Sequence, residues 1–299
     1  MENFFVFGNS VSAKCDPKMI NDITVKLWHS FSFNSSNIEL KAGESCTFVI
    51  GDVKLPTLPK DKEYAISVTE NGVAVVGYNY GGLMRGFIAL LMKIEYENLN
   101  VGNEVLKIPV FEETSNYKLK NRMIHICIFP DNDKYYIQKL IRLAGLCQYT
   151  HIVLEFWGSL RYDCLKELAW QNAFSKDEAR EFIAEARELG MEPIPMFNQL
   201  GHATGSRVCH GKHVVLEQNP RLQPLFTPDG WAWNINSPDV KKLLKTIRFE
   251  LYELFGETEY IHIGCDEAYY YSSCAEERKK LPTVIALWED GTKRIESRN

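Results

Sequence analysis

Several features that mark common protein classes are missing from this chain of 299 residues. The net charge of −5 provides no basic footprint, so we expect no nucleic-acid partner. The longest apolar run, residues 87–94, is far shorter than the roughly 20 residues of a membrane span, so we expect no membrane association. The composition, 45% hydrophobic and 24% charged, excludes a disordered, collagen-like or small disulfide-bonded protein.

Secretory features are also missing. Residues 1–9 contain an acid where a signal peptide carries a base, and they lack a long apolar core. The eight cysteines include no C-x-x-C pair, and several lie in apolar runs. This usage favours reduced, packed thiols, so we expect a cytoplasmic protein.

The first part of the chain, residues 1–115, is predicted to be a small α+β domain. Two β-rich runs flank Asn71-Gly72, which predicts a hairpin with a type I′ turn, because both residues tolerate positive φ. Residues 80–94 are apolar at helical spacing. The glycines at 77, 81, 82 and 86 do not form a G-x-G-x-x-G motif, and we interpret them as turn and close-packing residues.

The second predicted domain, residues 116–299, alternates strand and helix patterns, which implies parallel strands with right-handed crossovers. No glycine motif follows its first strand, which disfavours a doubly wound nucleotide-binding sheet and favours a (β/α) TIM-type barrel. The predicted strands are 123–129, 152–157, 192–197 and 260–264, and the predicted helices are 133–147, 175–190 and 237–256.

The predicted barrel is incomplete in this chain, because eight strands need roughly 200–250 residues. The four strands above are followed by one weaker candidate, residues 283–288. The predicted fold class is therefore α/β, an incomplete barrel preceded by a small α+β domain. The chain would be a fragment, a truncated product, or a half that another copy completes as a homo-oligomer.

Polar residues concentrate where the predicted barrel strands end, which is where barrel enzymes hold their active sites. Asp266 and Glu267 follow an apolar strand directly, and a charge in that position implies a cleft, because isolated burial costs several kcal/mol. The same dipeptide, Asp177-Glu178, lies in a helical first turn, where the helix dipole explains it. Further candidates at strand ends are Glu155, Trp157, Asn198 and His202, with His262 inside the fourth strand.

Two adjacent carboxylates are suited to glycosidic bond cleavage. One keeps its proton and acts as the general acid, while the other stays ionised and stabilises developing positive charge. Because neighbours on an extended strand point to opposite faces, both can serve only if the chain bends, which Gly264 permits.

Residues 260–267, YIHIGCDE, resemble the H-x-G-G-D-E signature of glycoside hydrolase family 20, the β-N-acetylhexosaminidases. Residues 186–202 resemble the third-strand segment of that family, which ends in Pro-Gly-His. The resemblance implies a substrate-assisted, retaining reaction on a glycan with a terminal β-linked N-acetylhexosamine. It implies that Asp266 orients the 2-acetamido group, that Glu267 is the general acid and base, and that His202 tunes the acid. No metal or organic cofactor is implied.

The chain departs from the family pattern at several positions. Cys265 replaces the second glycine of the signature, and Pro195–Asn198 lacks two family acids. Glu155 stands in the second-strand end that is rich in histidine in the family, where it would partner His202. Aromatic residues that would stack on a sugar or cover the barrel mouth are Trp157, Trp231 and Trp233.

Two other functions stay open. His202, His262 and Asp266 would form the ligand set of a metal-dependent barrel hydrolase, although no close ligand spacing supports it. Alternatively, the chain is an inactive or truncated homologue that binds glycans.

Overall fold

The computed structural model describes residues 3–98, 104–129, 131–203, 219–256, 258–268, 270–271 and 276, together with the backbone of 284–287 and 293–296. The chain divides into two compact units. The first comprises Met1–Ile126, Asp133–Val153 and Arg180–Pro193, and the second comprises Cys127–Asn132, Leu154–Ala179 and Ile194–Asn299. The predicted domain boundary near residue 115 stays a prediction.

The N-terminal part of the first unit contains two sheets and two helices, in agreement with the predicted α+β organisation. Its described strands are β1 (Phe4–Phe7), β2 (Ser10–Cys15), β3 (Asn37–Ala42), β4 (Thr47–Gly51), β5 (Tyr64–Thr69), β6 (Gly72–Gly77), β7 (Glu95–Asn98), β8 (Glu104–Pro109) and β9 (Phe111–Thr114). The larger sheet has six strands in the order β3-β2-β4-β6-β5-β9, and the smaller sheet has three in the order β1-β8-β7. Two helices accompany these strands, α1 (Asp22–Ser32) and α2 (Tyr80–Leu91).

The predicted hairpin is present, but its predicted turn type is wrong. Thr69 pairs with Gly72, so Glu70 and Asn71 form the turn. Neither Asn71 nor Gly72 has a positive φ, as a type I′ turn with Asn-Gly at its centre would require. Gly72 instead serves close packing, since a Cβ there would lie 2.5 Å from the carbonyl oxygen of Ile50.

The glycines of helix α2 allow close packing, as expected from the sequence. Asn79 caps the helix by accepting a hydrogen bond from the Gly82 amide at 2.8 Å. A Cβ at Gly82 would lie 2.3 Å from the Glu63 carbonyl oxygen, and one at Gly86 would lie 2.6 Å from the Val75 side chain. Close approach therefore explains both glycines.

Three of the predicted barrel strands form one sheet, and the first two of them pair in parallel, as predicted. They are β10 (Met123–Cys127), β11 (His151–Glu155) and β12 (Glu192–Met196), in the order β10-β11-β12. In the first unit, the Thr150 amide donates to the Arg122 carbonyl at 2.9 Å and the Glu192 amide donates to the Thr150 carbonyl at 2.9 Å. In the second unit, the Ile128 amide donates to the Glu155 carbonyl at 2.8 Å. Pairing at both ends gives β10 and β11 the same direction.

The three crossover helices begin and end close to their predicted positions, and they are α3 (Lys134–Leu146), α4 (Lys176–Glu188) and α5 (Pro238–Phe255). Ser175 and Glu178 form the predicted capping box, because the Ser175 amide donates to the Glu178 carboxylate at 2.9 Å. Ser237 caps α5 by accepting from the Val240 amide at 3.4 Å, and Gly256 ends it with φ +59°. Among the described residues, no helix is long and apolar enough to cross a membrane.

The predicted fourth barrel strand forms only in part. His262 makes a single parallel bridge to Met196, and no regular strand covers 260–264. The predicted extended run is wrong because the chain bends at its end, where Gly264, Cys265 and Glu267 have positive φ. The weaker candidate does contain a strand, β13 (Val284–Leu287), which pairs antiparallel with β14 (Lys293–Glu296) rather than in the parallel order of a barrel.

Glu63 should stabilise the first unit through two arginines. Its carboxylate accepts from Arg85 Nε at 2.6 Å and from Arg122 Nη2 at 3.0 Å. Burial by itself would raise the pKa of Glu63, but the Arg122 hydrogen bonds and the Arg85 charge outweigh burial and lower it. We expect Glu63→Gln to reduce the free energy of unfolding by about 2–3 kcal/mol at pH 7, since both guanidinium groups lose their counter-charge.

Denaturant unfolding between pH 3 and 7 tests this. Because the folded pKa lies below the unfolded value, the stabilisation is complete above the unfolded pKa and is lost as the pH falls through the folded pKa. The gap between Glu63→Gln and the parent should therefore close in acid. Glu113→Gln, which breaks the exposed pair with Lys93, is the control and should change stability by under about 0.5 kcal/mol. A gap that widens in acid would contradict the assignment.

Candidate active site

The Asp266-Glu267 pair lies on a sharply bent segment of the second unit. Gly264, Cys265 and Glu267 have φ values of +66°, +81° and +50°. This left-handed backbone supplies the bend that two adjacent acids need in order to work on the same side. The side chain of Asp266 is 60% exposed and that of Glu267 is 36% exposed, so both carboxylates reach solvent.

His202 lies against both carboxylates. Its Nε2 atom is 3.0 Å from Glu267 Oε2 and 3.4 Å from Asp266 Oδ2. The His202 side chain is only 12% exposed, so these contacts form at the edge of the protein interior rather than in free solvent. The three residues that the sequence singled out as acid, acetamide partner and tuning histidine are therefore brought together.

Two glycines permit the close approach of the loops that carry these residues. A Cβ at Gly201 would lie 2.0 Å from the Asp266 carbonyl oxygen, and a Cβ at Gly264 would lie 2.0 Å from Asn198 Oδ1. The Gln199 amide donates to the Ile263 carbonyl at 2.8 Å. The loop after β12 and the Asp-Glu segment are thus packed backbone to backbone, and any side chain at either glycine would separate them.

Glu155 and Asn198 lie beneath the bend and are buried. Asn198 Nδ2 donates to Glu155 Oε1 at 2.6 Å, whereas the ring nitrogen of His202 faces Asp266 and Glu267. The expectation that Glu155 partners His202 is therefore corrected: the carboxylate of Glu155 holds Asn198. The Oδ1 atom of Asn198 is buried against Gly264 and makes no hydrogen bond within the described residues.

Two of the three predicted sugar-stacking tryptophans are packed inside. Trp233 is completely buried and Trp157 is 7% exposed. Their indole N–H groups donate to backbone carbonyls, from Trp233 to Asn198 at 2.9 Å and from Trp157 to Ala203 at 3.1 Å. The stacking prediction fails for both, because each ring is occupied in holding the loop after β12.

Trp231 is half-buried and contacts the acidic pair itself. Its indole N–H donates to the Glu267 carbonyl at 2.6 Å, and its ring centroid lies 4.6 Å from that of His202. Sequence reasoning identified Trp231 as an aromatic residue near the site but not as a neighbour of Glu267. The Pro228-Asp229-Gly230 turn signal that precedes it was the available clue.

His262 lies within the predicted fourth strand, where it makes a single bridge to Met196. Its side chain is exposed, and its Nδ1 accepts a hydrogen bond from the Gly264 amide at 3.2 Å. Within the described ranges, no group of three or more His, Cys, Asp or Glu residues is arranged to hold a metal ion. The set of His202, His262 and Asp266 is therefore not a ligand cluster.

Cys265 contributes no charge to the site. Desolvation, and after it the charge of Asp266, raise the pKa of the Cys265 thiol, so it stays protonated near neutral pH. Each of the six described cysteines is a free thiol, while Cys209 and Cys274 lie outside the described residues. Cys147 and Cys265 are exposed, so the expectation of packed thiols holds only for part of the set.

Comparison with known proteins connects this geometry to one family. Residues 149–294 match the model for glycosyl hydrolase family 20, catalytic domain. This segment is therefore similar to the catalytic domain of glycosyl hydrolase family 20. It contains the whole of the arrangement described above, from Glu155 to Glu267, and the α/β architecture of the chain is similar to part of the fold of solved family 20 enzymes.

Individual relatives are distant and longer. A lacto-N-biosidase from Bifidobacterium bifidum is 21% identical over 224 residues, which are 75% of this chain and 19% of the relative. A family 20 exo-β-N-acetylglucosaminidase from Vibrio harveyi superposes with a TM-score of 0.68 at 15% identity, over 94% of this chain and 47% of that one. A β-N-acetylhexosaminidase from Bacteroides fragilis gives 0.67 at 18% identity, over 94% and 57%. The chain spans about half the length of these solved structures.

Cys265 should carry a conformational cost that glycine would remove, because its φ of +81° is unfavourable for a side chain with a Cβ. We expect Cys265→Gly to raise the free energy of unfolding by roughly 1 kcal/mol. Thermal or denaturant unfolding measures it. The matched control is Cys147→Gly, at an exposed cysteine with an ordinary φ of −76°, which should lower stability by roughly 0.5–1 kcal/mol. Equal losses in both variants would contradict strain at Cys265.

Proposed function

We propose that the protein is a glycoside hydrolase that removes a terminal β-linked N-acetylhexosamine from a glycan or glycoconjugate. The observation that carries this proposal is that the largely buried side chain of His202 contacts the carboxylates of both Asp266 and Glu267, which are exposed to solvent. The family 20 match of the same segment supports it. The reaction is substrate-assisted and retains the configuration of the anomeric carbon.

Glu267 is the general acid and then the general base. In the first step, its carboxyl proton passes to the leaving glycosidic oxygen while the substrate's acetamido oxygen attacks the anomeric carbon, which gives an oxazoline-type intermediate. In the second step, the Glu267 carboxylate takes a proton from water, and the water oxygen displaces the acetamido oxygen. His202, 3.0 Å from Glu267, provides the hydrogen-bonding partner through which the carboxyl group is held for both steps.

Asp266 orients the acetamido group and stabilises the positive charge that develops on it. The side chain of Asp266 is 60% exposed, so it is accessible to the acetamido group of a bound sugar. Glu267 is 36% exposed and lies closer to His202 Nε2, at 3.0 Å against 3.4 Å for Asp266, so the two adjacent acids have different surroundings.

Two further proposals concern the setting of the enzyme. The free thiols of the described cysteines favour a reducing compartment, and on that ground we propose a cytoplasmic location. A second copy that supplies the remaining barrel strands as a homo-oligomer is proposed as one way in which this chain becomes complete, and the molar mass of the protein in solution tests it.

Glu267→Gln should lose activity mainly on substrates with poor leaving groups, because these need protonation of the leaving oxygen most. We expect the rate on an alkyl or sugar aglycone to fall by roughly 10²–10⁴-fold, with a much smaller loss on a nitrophenyl glycoside. Glu178→Gln, which changes the second acid of the other Asp-Glu pair and keeps the helix cap, is the control and should match the parent. Equal losses of Glu267→Gln on both substrate types would exclude it as the acid.

Participation of the acetamido group is tested by comparing two chromogenic substrates. The protein should release nitrophenol from the β-N-acetylglucosaminide and not from the β-glucoside, and Asp266→Asn should reduce the first rate by roughly 10²-fold or more. Asp177→Asn is the control. Equal rates on both substrates would exclude participation, and loss of activity with a chelator would support the metal-dependent hydrolase. Binding of N-acetylglucosamine without turnover would support the glycan-binding homologue.

A further inference from the structure

We propose that Trp231 is a positioning residue that fixes the Glu267 carboxyl group against His202, and that it does not serve as a stacking platform for the sugar. The expected effect of Trp231 on catalysis rests on the proposed function. Its effect on the contact between His202 and Glu267 can be measured without any catalytic activity.

Trp231 follows a turn that is closed by several hydrogen bonds. The Thr227 hydroxyl donates to Asp229 Oδ1 at 2.6 Å, and the same oxygen accepts the Trp231 amide at 3.0 Å. The turn is closed by the Thr227 amide, which donates to the Ala232 carbonyl at 2.8 Å. Because Asp229 binds both the hydroxyl and the Trp231 amide, the direction in which Trp231 leaves the turn is fixed by side chains that lie outside the acidic pair.

From this turn, Trp231 reaches both segments that carry the proposed machinery. Its carbonyl accepts the Ala203 amide at 2.9 Å, which fixes the residue that follows His202. Its indole N–H donates to the Glu267 carbonyl at 2.6 Å, and its ring lies beside His202 at an angle of 56°. One residue therefore links the His202 loop, by main chain and ring, to the backbone of Glu267.

The link matters because Glu267 has a costly backbone conformation. Its φ of +50° is unfavourable for a residue with a side chain, so the chain would relax unless an external contact held it. The indole hydrogen bond acts on the carbonyl of that same residue. Relaxation of the bend would move the carboxylate away from His202 Nε2, which lies 3.0 Å from it.

A ring available for sugar stacking needs an open face and free adjustment to the substrate. The Trp231 ring is half-buried, lies against His202 and is anchored through its N–H group. Trp157 and Trp233 also donate to backbone carbonyls, but to Ala203 and Asn198 in the His202 loop. Of these three rings, Trp231 is the one whose indole reaches the proposed acid residue.

The test combines Trp231→Phe, which keeps an aromatic ring and removes the N–H group, with Asp229→Ala, which loosens the turn from an exposed position. We expect Trp231→Phe to lower kcat about tenfold with KM nearly unchanged, because one hydrogen bond that orients the acid is lost. The loss should be larger on poor leaving groups. Asp229→Ala should give a smaller loss of the same kind, and the double variant should lose no more than Trp231→Phe alone, because both act through one contact.

A second readout does not require turnover. The ring-nitrogen NMR signals of His202, which report its hydrogen bonding, should move in Trp231→Phe toward their positions in Glu267→Gln, because both variants remove the carboxylate contact. Asp239→Asn, at an exposed acid in the first turn of α5, and Trp28→Phe, in the first unit, are controls that should leave these signals in place. Thermal unfolding verifies that each variant is folded.

The outcomes separate the two proposals. If the protein cleaves no 2-acetamido glycoside, the proposed function fails, and the NMR comparison still decides the role of Trp231. Unmoved His202 signals in Trp231→Phe, or additive losses in the double variant, would overturn the positioning role. A higher KM at unchanged kcat would assign Trp231 to sugar binding instead.

Discussion

Backbone-to-backbone contact between two loops is the constraint on which the candidate site depends. Gly201 and Gly264 have no Cβ, and in both cases a Cβ would lie 2.0 Å from an atom of the other segment. This contact brings His202 to within hydrogen-bonding distance of Glu267. The arrangement of charges is thus a consequence of two positions at which the chain has no side chain, rather than of the charged residues themselves.

Tryptophans near the site hold its loops in place through hydrogen bonds from their indole N–H groups as well as through the packing of their rings. Trp157, Trp231 and Trp233 each donate to a carbonyl of a loop residue at 3.1 Å or less. Loop carbonyls in a partly buried region need donors, since an unsatisfied buried polar group costs free energy. Indoles supply such donors together with a large apolar surface that closes the loop against water. Rings that sequence reasoning assigns to a sugar are here part of the framework that holds the catalytic candidates.

Two kinds of sequence signal predicted the fold well, and two did not. Helix limits followed from local chemistry, as in the Ser175–Glu178 capping box and the Ser237 cap with Gly256 at the other end. The parallel pairing of β10 with β11 followed from the alternation of strand and helix patterns along the chain. The turn type at Asn71-Gly72 was predicted wrongly, because Gly72 is required for close packing against the neighbouring strand β4 and not for a positive φ. The fourth barrel strand was predicted too long, because the backbone bends where it reaches the acidic pair.

The sequence by itself determined which residue types are available and the order in which strands deliver them: an acid pair directly after an apolar segment, a histidine after Gly201, and helices capped at predictable residues. Local patterns are sufficient for this because caps and periodicity involve residues within a few positions of each other. Only the tertiary structure decided that Glu155 holds Asn198, that His202 meets both acids, and that Trp231 reaches Glu267. These contacts join residues 36 to 65 positions apart, and their formation depends on how closely the loops approach, which no local pattern encodes.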